Sequence, residues 1–246
     1  MIPLRSIEGV TAWPLEGFPR VRMTRPPGPP EVSPAVEARW RELCEENPRH
    51  FDGPILSVVT FDADGGEVLA RRDRYMRLAV QPRVVTGVQQ LSVTAVLTVR
   101  DGAGRAYVLL GRRSPQTRIY GGMWELGPSG GVPAPHPSVE EVPVGALLSQ
   151  LEDEVAEEAG LVVDASRVRA VAYVRDHVAH SDDVCIECDL GALEDLQHSG
   201  PANWEYTETL LLPVDTVAQF DESNAAEIIA PTRAVFRVMG WVGDPD

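Results

Sequence analysis

Residues 152–161, Glu-Asp-Glu-Val-Ala-Glu-Glu-Ala-Gly-Leu, constrain this chain more than any other stretch. They close a run predicted as a helix over about 138–159, and Gly160 follows where a left-handed C-cap residue is wanted. Glu154, Glu157 and Glu158 stand at i, i+3 and i+4, so on a helix their carboxylates share one face. Three like charges so placed destabilise the helix unless something screens them. Solvent does this on an ordinary acidic surface. A divalent cation does it at a site, and carboxylate oxygens suit Mg2+ or Mn2+, which in turn bind phosphate.

The remaining pattern mixes strands and helices. Two β-rich runs, 89–99 and 106–112, flank the hairpin turn Asp101-Gly-Ala-Gly, and strand-like runs recur at 167–175, 183–190 and 208–212. Before them, prolines at 3, 14, 19, 26, 27, 29 and 30 predict a short strand or two and an extended connector. Ser33 as N-cap and Pro34 at the first helical position open a helix that stops near Asn47-Pro48. Strands at 53–61 and 67–72 follow, joined by the turn Asp62-Ala-Asp-Gly-Gly. Near the end, Ala225–Ala230 reads as one helical piece and Pro231 begins another through Met239. The expectation is an α+β fold with sheet and helices in layers. Residues 1–88 would form an N-terminal extension and 89–246 the main domain.

Charge narrows the partners. With 37 acidic against 22 basic residues the net charge is −15, which argues against nucleic acid and against an anionic membrane surface. A small anionic substrate would need a metal or a group of arginines. No apolar run approaches the roughly 18 residues of a membrane span. The first residues lack the basic head and apolar stretch of a secretory signal. Cys44, Cys185 and Cys188 are too few for a disulfide framework, so a cytoplasmic location is expected.

Asp153-Glu-Val-Ala-Glu-Glu-Ala-Gly-Leu resembles the second half of the Nudix box, Arg-Glu-U-x-Glu-Glu-x-Gly-U with U aliphatic. Trp124-Glu-Leu-Gly-Pro-Ser-Gly-Gly resembles the segment that precedes it in that family. The resemblance implies an α/β/α sandwich with a mixed sheet. It also implies Mg2+- or Mn2+-dependent hydrolysis of a nucleoside diphosphate derivative. Glu154, Glu157 and Glu158 would be metal ligands, joined by a carbonyl at Gly130 or Gly131, with Glu154 and Glu157 central to catalysis. A general base is also required. Glu205 is the first candidate and Glu208 the second, each with solvated loop acid as the alternative. Arg112 and Arg113, with Arg118 nearby and Trp124 and Glu125 beyond, are the candidates for holding substrate.

The departures are specific. Counting back from position 153 puts Gly145 and Val139 where the box has Glu and Gly. Aligning Gly131 instead implies an insertion of about eight residues bearing Pro133, Pro135, Pro137, Glu140 and Glu141. Asp153 replaces an arginine that in the family helps fix a catalytic Glu. A nucleotide-binding protein without turnover is therefore the alternative. Isopentenyl diphosphate isomerisation lacks the Cys it normally uses beside the metal carboxylates.

Trp40, Asn47-Pro-Arg-His-Phe-Asp-Gly-Pro-Ile-Leu, Arg71 and Tyr75 resemble the lead-in of Nudix proteins that cleave UDP-glucose and UDP-galactose. That implies UMP and a sugar 1-phosphate as products. Such extensions also build dimers or close pockets, which makes a homodimer an expectation. His177, His180, Cys185 and Cys188 have the residue types of a zinc site. Cys185 and Cys188 fall on opposite faces of a strand, however, so zinc is not expected. The two histidines are candidates for the pocket border.

Overall fold

The computed structural model describes residues 4–7, 9–25, 29–196 and 200–243. Pro3, Pro26 and Pro27 of the predicted connector lie outside the described residues. In chain order the elements are β1 (Leu4–Ile7), β2 (Val10–Pro14), β3 (Arg20–Met23), α1 (Pro34–Glu46), β4 (Pro54–Asp62), β5 (Glu67–Arg74) and α2 (Tyr75–Ala79). There follow β6 (Gln90–Arg100), β7 (Ala106–Arg113), β8 (Trp124–Leu126), β9 (Ser129–Gly131), β10 (Glu141–Val142) and α3 (Val144–Glu154). The last are β11 (Val168–Asp176), β12 (Ser181–Ala192), β13 (Tyr206–Pro213), α4 (Val217–Asn224) and α5 (Ala230–Val238).

One mixed sheet runs in the order β1-β2-β11-β12-β6-β4-β5-β3-β10. The first half of β6 also carries β9, and its far end carries β7, which holds β8 and β13. Alternation along β6 decides the layering. Leu91, Val93, Ala95 and Leu97 face Leu147 and Leu151 of α3. Val96 faces the other way, into a core with Ala234, Val235 and Phe236 of α5. The result is helix, sheet, helix, as an α+β chain should pack.

The segment before residue 89 belongs to this same sheet. β2 pairs with β11, β4 touches β6 at Ser57 and Gln90, and Leu56, Val58 and Val68 share the α3-side core with Leu91. A small separate cluster packs α1 on α2 through Val36, Met76 and Val80. At the start of α1, the Ser33 hydroxyl accepts from the Val36 amide at 3.4 Å with Pro34 in the first turn, the predicted cap.

Three expectations need correction. The helix read as 138–159 starts at Val144, because Pro143 caps it and Glu141–Val142 pair with β3 instead. Its last turn, Val155–Ala159, is a π-turn. The piece read as Ala225–Ala230 is a single 3-10 turn, Ala225–Glu227, and the helix before it, α4, carries no strong sequence signal. Among the described residues no helix is long and apolar enough to cross a membrane.

Candidate active site

The π-turn sets the geometry of the acidic helix end. A turn closed by i→i+5 bonds holds more residues than an α-turn, so an i+3 side chain swings off the face that i and i+4 still share. Glu154 is accordingly half-buried, Glu158 is buried and Glu157 is exposed. Asp153 is exposed as well. Gly160 ends the turn in the left-handed conformation at φ 64°, as its cap position requires.

Glu154 lies flat against Gly130 of β9. A Cβ on that glycine would overlap the Glu154 carboxylate, and would stand only 2.6 Å from its Cγ. Gln150, one turn back on α3, donates to Glu154 Oε1 at 2.6 Å. Burial raises the Glu154 carboxyl above the usual range, Gln150 works against this, and Glu205 and Glu157 add repulsion.

Glu158 is 3% exposed. Burial pushes its carboxyl up to about 10, with repulsion from Glu205, Glu154 and Glu125 adding to it. Glu125, on β8, is equally enclosed but better partnered. It accepts from Arg113 Nη1 at 2.5 Å and from the Tyr206 hydroxyl at 2.9 Å, while burial still holds its carboxyl above the usual range. Tyr206 reaches it because Gly111 and Gly127 leave room: a Cβ on Gly111 would lie 2.5 Å from the ring. Glu205, next to Tyr206, has its backbone fixed on both sides. Its amide donates to Asn203 Oδ1 at 2.8 Å and its carbonyl accepts from the Ser114 amide at 2.7 Å.

Four carboxylates from three separate segments thus converge: Glu125, Glu154, Glu158 and Glu205. Their oxygens are the donor type that Mg2+ or Mn2+ prefers, and their mutual repulsion is what a dication relieves, so the donor chemistry fits. Among the described residues no three His, Cys, Asp or Glu side chains form a ready-made metal cage.

A cleft of about 510 Å3 opens beside this cluster. Glu125, Glu205, Arg113, Arg118, Gly130 and Gly131 line it; Glu154 and Glu158 do not, and sit beyond Gly130 and Glu205. Arg113 reaches the cleft, yet its charge is committed to Glu125. Arg112, one residue earlier on the strand and so on the opposite face, stays outside. It pairs with Glu208 and Glu227, each at 3.2 Å, and covers the ring of Trp124, which is 9% exposed and packed in the α5-side core. Glu208 is therefore in a surface ion pair. Cys185 and Cys188 enter opposite cores, as their offset predicts, while Ala179 and Ser181, rather than His177 and His180, line the cleft.

Several lining residues lie outside the site candidates, although Asn47, Arg49, His50 and Tyr75 stand in the segments that carry the UDP-sugar resemblance. Gln90, Ser92, Thr94 and Asp183 come from the middle of the sheet, and Asn47, Arg49, His50 and Tyr75 from the N-terminal segment. Arg49 stacks over the exposed ring of Trp204 at 5.5 Å. The first group does leave a signal, polar residues at every second position of an apolar strand. Contacts that join residues 49 and 204 leave none.

No protein-family model matches the chain, and no curated protein does either. Among solved structures, the chain is similar to a Nudix hydrolase from M. smegmatis, RenU, at 21% identity over 62% of this chain and 84% of that one, with a TM-score of 0.41. A NUDIX hydrolase from Alicyclobacillus acidocaldarius matches at 18% over 62% and 90%, with a TM-score of 0.43. The NUDIX domain of Shewanella oneidensis NrtR, solved with ADP ribose, matches at 22% over 60% and 89%, with a TM-score of 0.41. At such identities and TM-scores the chemistry has to be read from this chain's own residues.

Proposed function

We propose that this chain is a Nudix-type hydrolase that cleaves the diphosphate linkage of a nucleoside diphosphate derivative with Mg2+ or Mn2+. A nucleotide sugar such as UDP-glucose is the preferred substrate in this reading, giving UMP and sugar 1-phosphate. The observation that carries it is the convergence of Glu125, Glu154, Glu158 and Glu205 beside a substrate-sized cleft that Glu125 and Glu205 line.

Glu154 and Glu158 would hold the cation, with the carbonyl of Gly130 beside Glu154, while Glu157, turned outward, could join only from the solvent side. When bound, the metal neutralises charge on the diphosphate and lowers the pKa of a water. Glu205 lines the cleft on a backbone pinned at both ends, which suits the general base that takes the proton from that water. Tyr206 and Arg113 hold Glu125 in place and keep its charge compensated. Arg49, over Trp204 and with no ion pair among the described residues, is positioned to meet a phosphate oxygen.

The test is a substrate panel of UDP-glucose, UDP-galactose, ADP-ribose and dinucleoside polyphosphates with Mg2+ or Mn2+, read by release of nucleoside monophosphate. Metal-dependent UMP release is expected, lowered about 100-fold or more by Glu158→Gln. A second reading, nucleotide binding without turnover, is favoured by Asp153, an exposed acid where the resemblance calls for arginine. Tight binding with no product under either metal would establish that reading and overturn the first.

A further inference from the structure

β6 and β12 are parallel neighbours in the middle of the sheet, where both faces of a strand are ordinarily apolar. On the α3 side they conform: Leu91, Val93, Ala95, Val184 and Ile186 are all fully buried. On the other side they do not. Gln90 stands beside Ser181, Ser92 beside Asp183 and Thr94 beside Cys185, and all six line the cleft. Their polar atoms open on the cleft rather than being sealed in the sheet, so water or a ligand can partner them.

The partners within the chain fall short. Asp183 accepts from Ser181 Oγ at 2.7 Å and from Thr94 Oγ1 at 3.1 Å, which leaves carboxylate lone pairs open to the cleft. Among the described residues, the Ser92 hydroxyl and the Gln90 side-chain amide make no hydrogen bond. Apolar side chains of Leu126, Ile229 and Val235 line the same cleft. Asp176 lines this part too, accepting from the Tyr120 hydroxyl at 2.7 Å, while Arg118 donates to the Ala179 carbonyl at 3.3 Å. Asp176 and Asp183 face Arg118 here, while Arg113 is committed to Glu125, a balance that disfavours a phosphate.

We propose that this strip binds the uncharged part of the substrate, a group rich in N–H or O–H donors, with Asp183 as the specificity-determining acceptor. The nucleobase and the sugar of a nucleotide derivative share that chemistry. The inference takes the ligand class from the hydrolase reading, but the strip itself does not depend on catalysis.

Calorimetric titration of the full chain tests it, with UMP and AMP as the base-bearing probes and glucose 1-phosphate as the sugar-bearing one. Pyrophosphate with Mn2+ is the control for the carboxylate end. Asp183→Asn keeps one of the two oxygens that Ser181 and Thr94 use, and the other hydroxyl can turn to accept from the new amide, while Ser92→Ala disturbs no internal bond. The expected result is that one probe class binds, that Asp183→Asn weakens it about tenfold and Ser92→Ala about threefold, and that pyrophosphate changes less than about twofold. The class that responds identifies the source. Unchanged probe affinity in both variants, equal loss of pyrophosphate, or no probe binding to the wild type would each overturn the proposal. Probe binding that depends on Asp183 in a protein without turnover would instead sink the hydrolase reading and leave this one standing.

Discussion

Gly130→Ala is the sharpest probe of the carboxylate cluster, because it adds one methyl group at the point where Glu154 touches β9. Ordinary carbon contacts lie near 3.5–4.0 Å, whereas the new Cβ would stand 2.6 Å from Glu154 Cγ. Cγ must therefore recede by about 1 Å, and more at the carboxylate. Rotation about the outer bonds cannot achieve this, because Cγ lies only two bonds from the backbone. The side chain must change rotamer or the strand must shift, and the bond from Gln150 at 2.6 Å goes with it. Overpacking of this kind costs about 1–3 kcal/mol, offset by roughly 0.5–1 kcal/mol for removing a strand glycine. The expected net loss is about 1–2 kcal/mol in urea denaturation, together with at least a tenfold drop in Mn2+ affinity by calorimetry. Adding Glu154→Ala removes the clash, so the double variant should be no less stable than Glu154→Ala alone. Wild-type stability and Mn2+ affinity in Gly130→Ala would refute the placement of Glu154. Additive losses in the double variant would refute the clash.

Arg113→Met leaves the enclosed Glu125 without its guanidinium and should destabilise the fold by about 3–5 kcal/mol in chemical denaturation, with Glu125→Gln restoring much of it. Tyr206→Phe removes one of two partners from the same carboxylate, and a smaller loss of about 1 kcal/mol is expected. Burial, with Asp176 and Asp182 behind it, pushes the Asp183 carboxyl up to about 7. Its folded pKa thus exceeds its unfolded one, so its share of stability is full below about pH 4 and is lost as pH rises toward 7. Melting midpoints of Asp183→Asn should accordingly fall less than wild type between pH 4 and 7; parallel curves would contradict the assignment.

What the sequence discloses of this molecule depends on how local the cause is. Ser33 and Pro34 open α1, and Gly160 closes the acidic helix, because caps act within one turn. Strand centres are legible for the same reason, since alternation is a property of neighbours. The start of α3 is not. Its end is set by Pro143 and by β10 pairing with β3, some 120 residues earlier in the chain. Nor is the fate of Glu157 legible: i, i+3, i+4 spacing assumes an α-turn, and the π-turn throws that one carboxylate outward while keeping Glu154 and Glu158 together. Choosing between Arg112 and Arg113 needed only the phase of one strand, yet that phase is fixed by β8 and β13 on either side of β7.

The cluster is consequently a tertiary object built around a short local motif. One backbone bond that no motif encodes ties its two halves together, from the Ala202 amide to the Glu158 carbonyl at 2.9 Å. That carbonyl is among the last of the helix, which ordinarily lack intrahelical partners. Satisfying it from the loop that carries Trp204 and Glu205 ties the proposed base to the proposed ligands as one unit. Gly160 turns the chain toward that loop at positive φ, and a Cβ there would meet Ala202 Cβ at 3.4 Å, the edge of ordinary contact. Glycine at 160 is thus required by the left-handed backbone of the helix end rather than by crowding against the loop. Its replacement by alanine should lower stability by about 1 kcal/mol in urea denaturation from the left-handed backbone alone, and a drop in turnover beyond that loss would show that the loop depends on the cap.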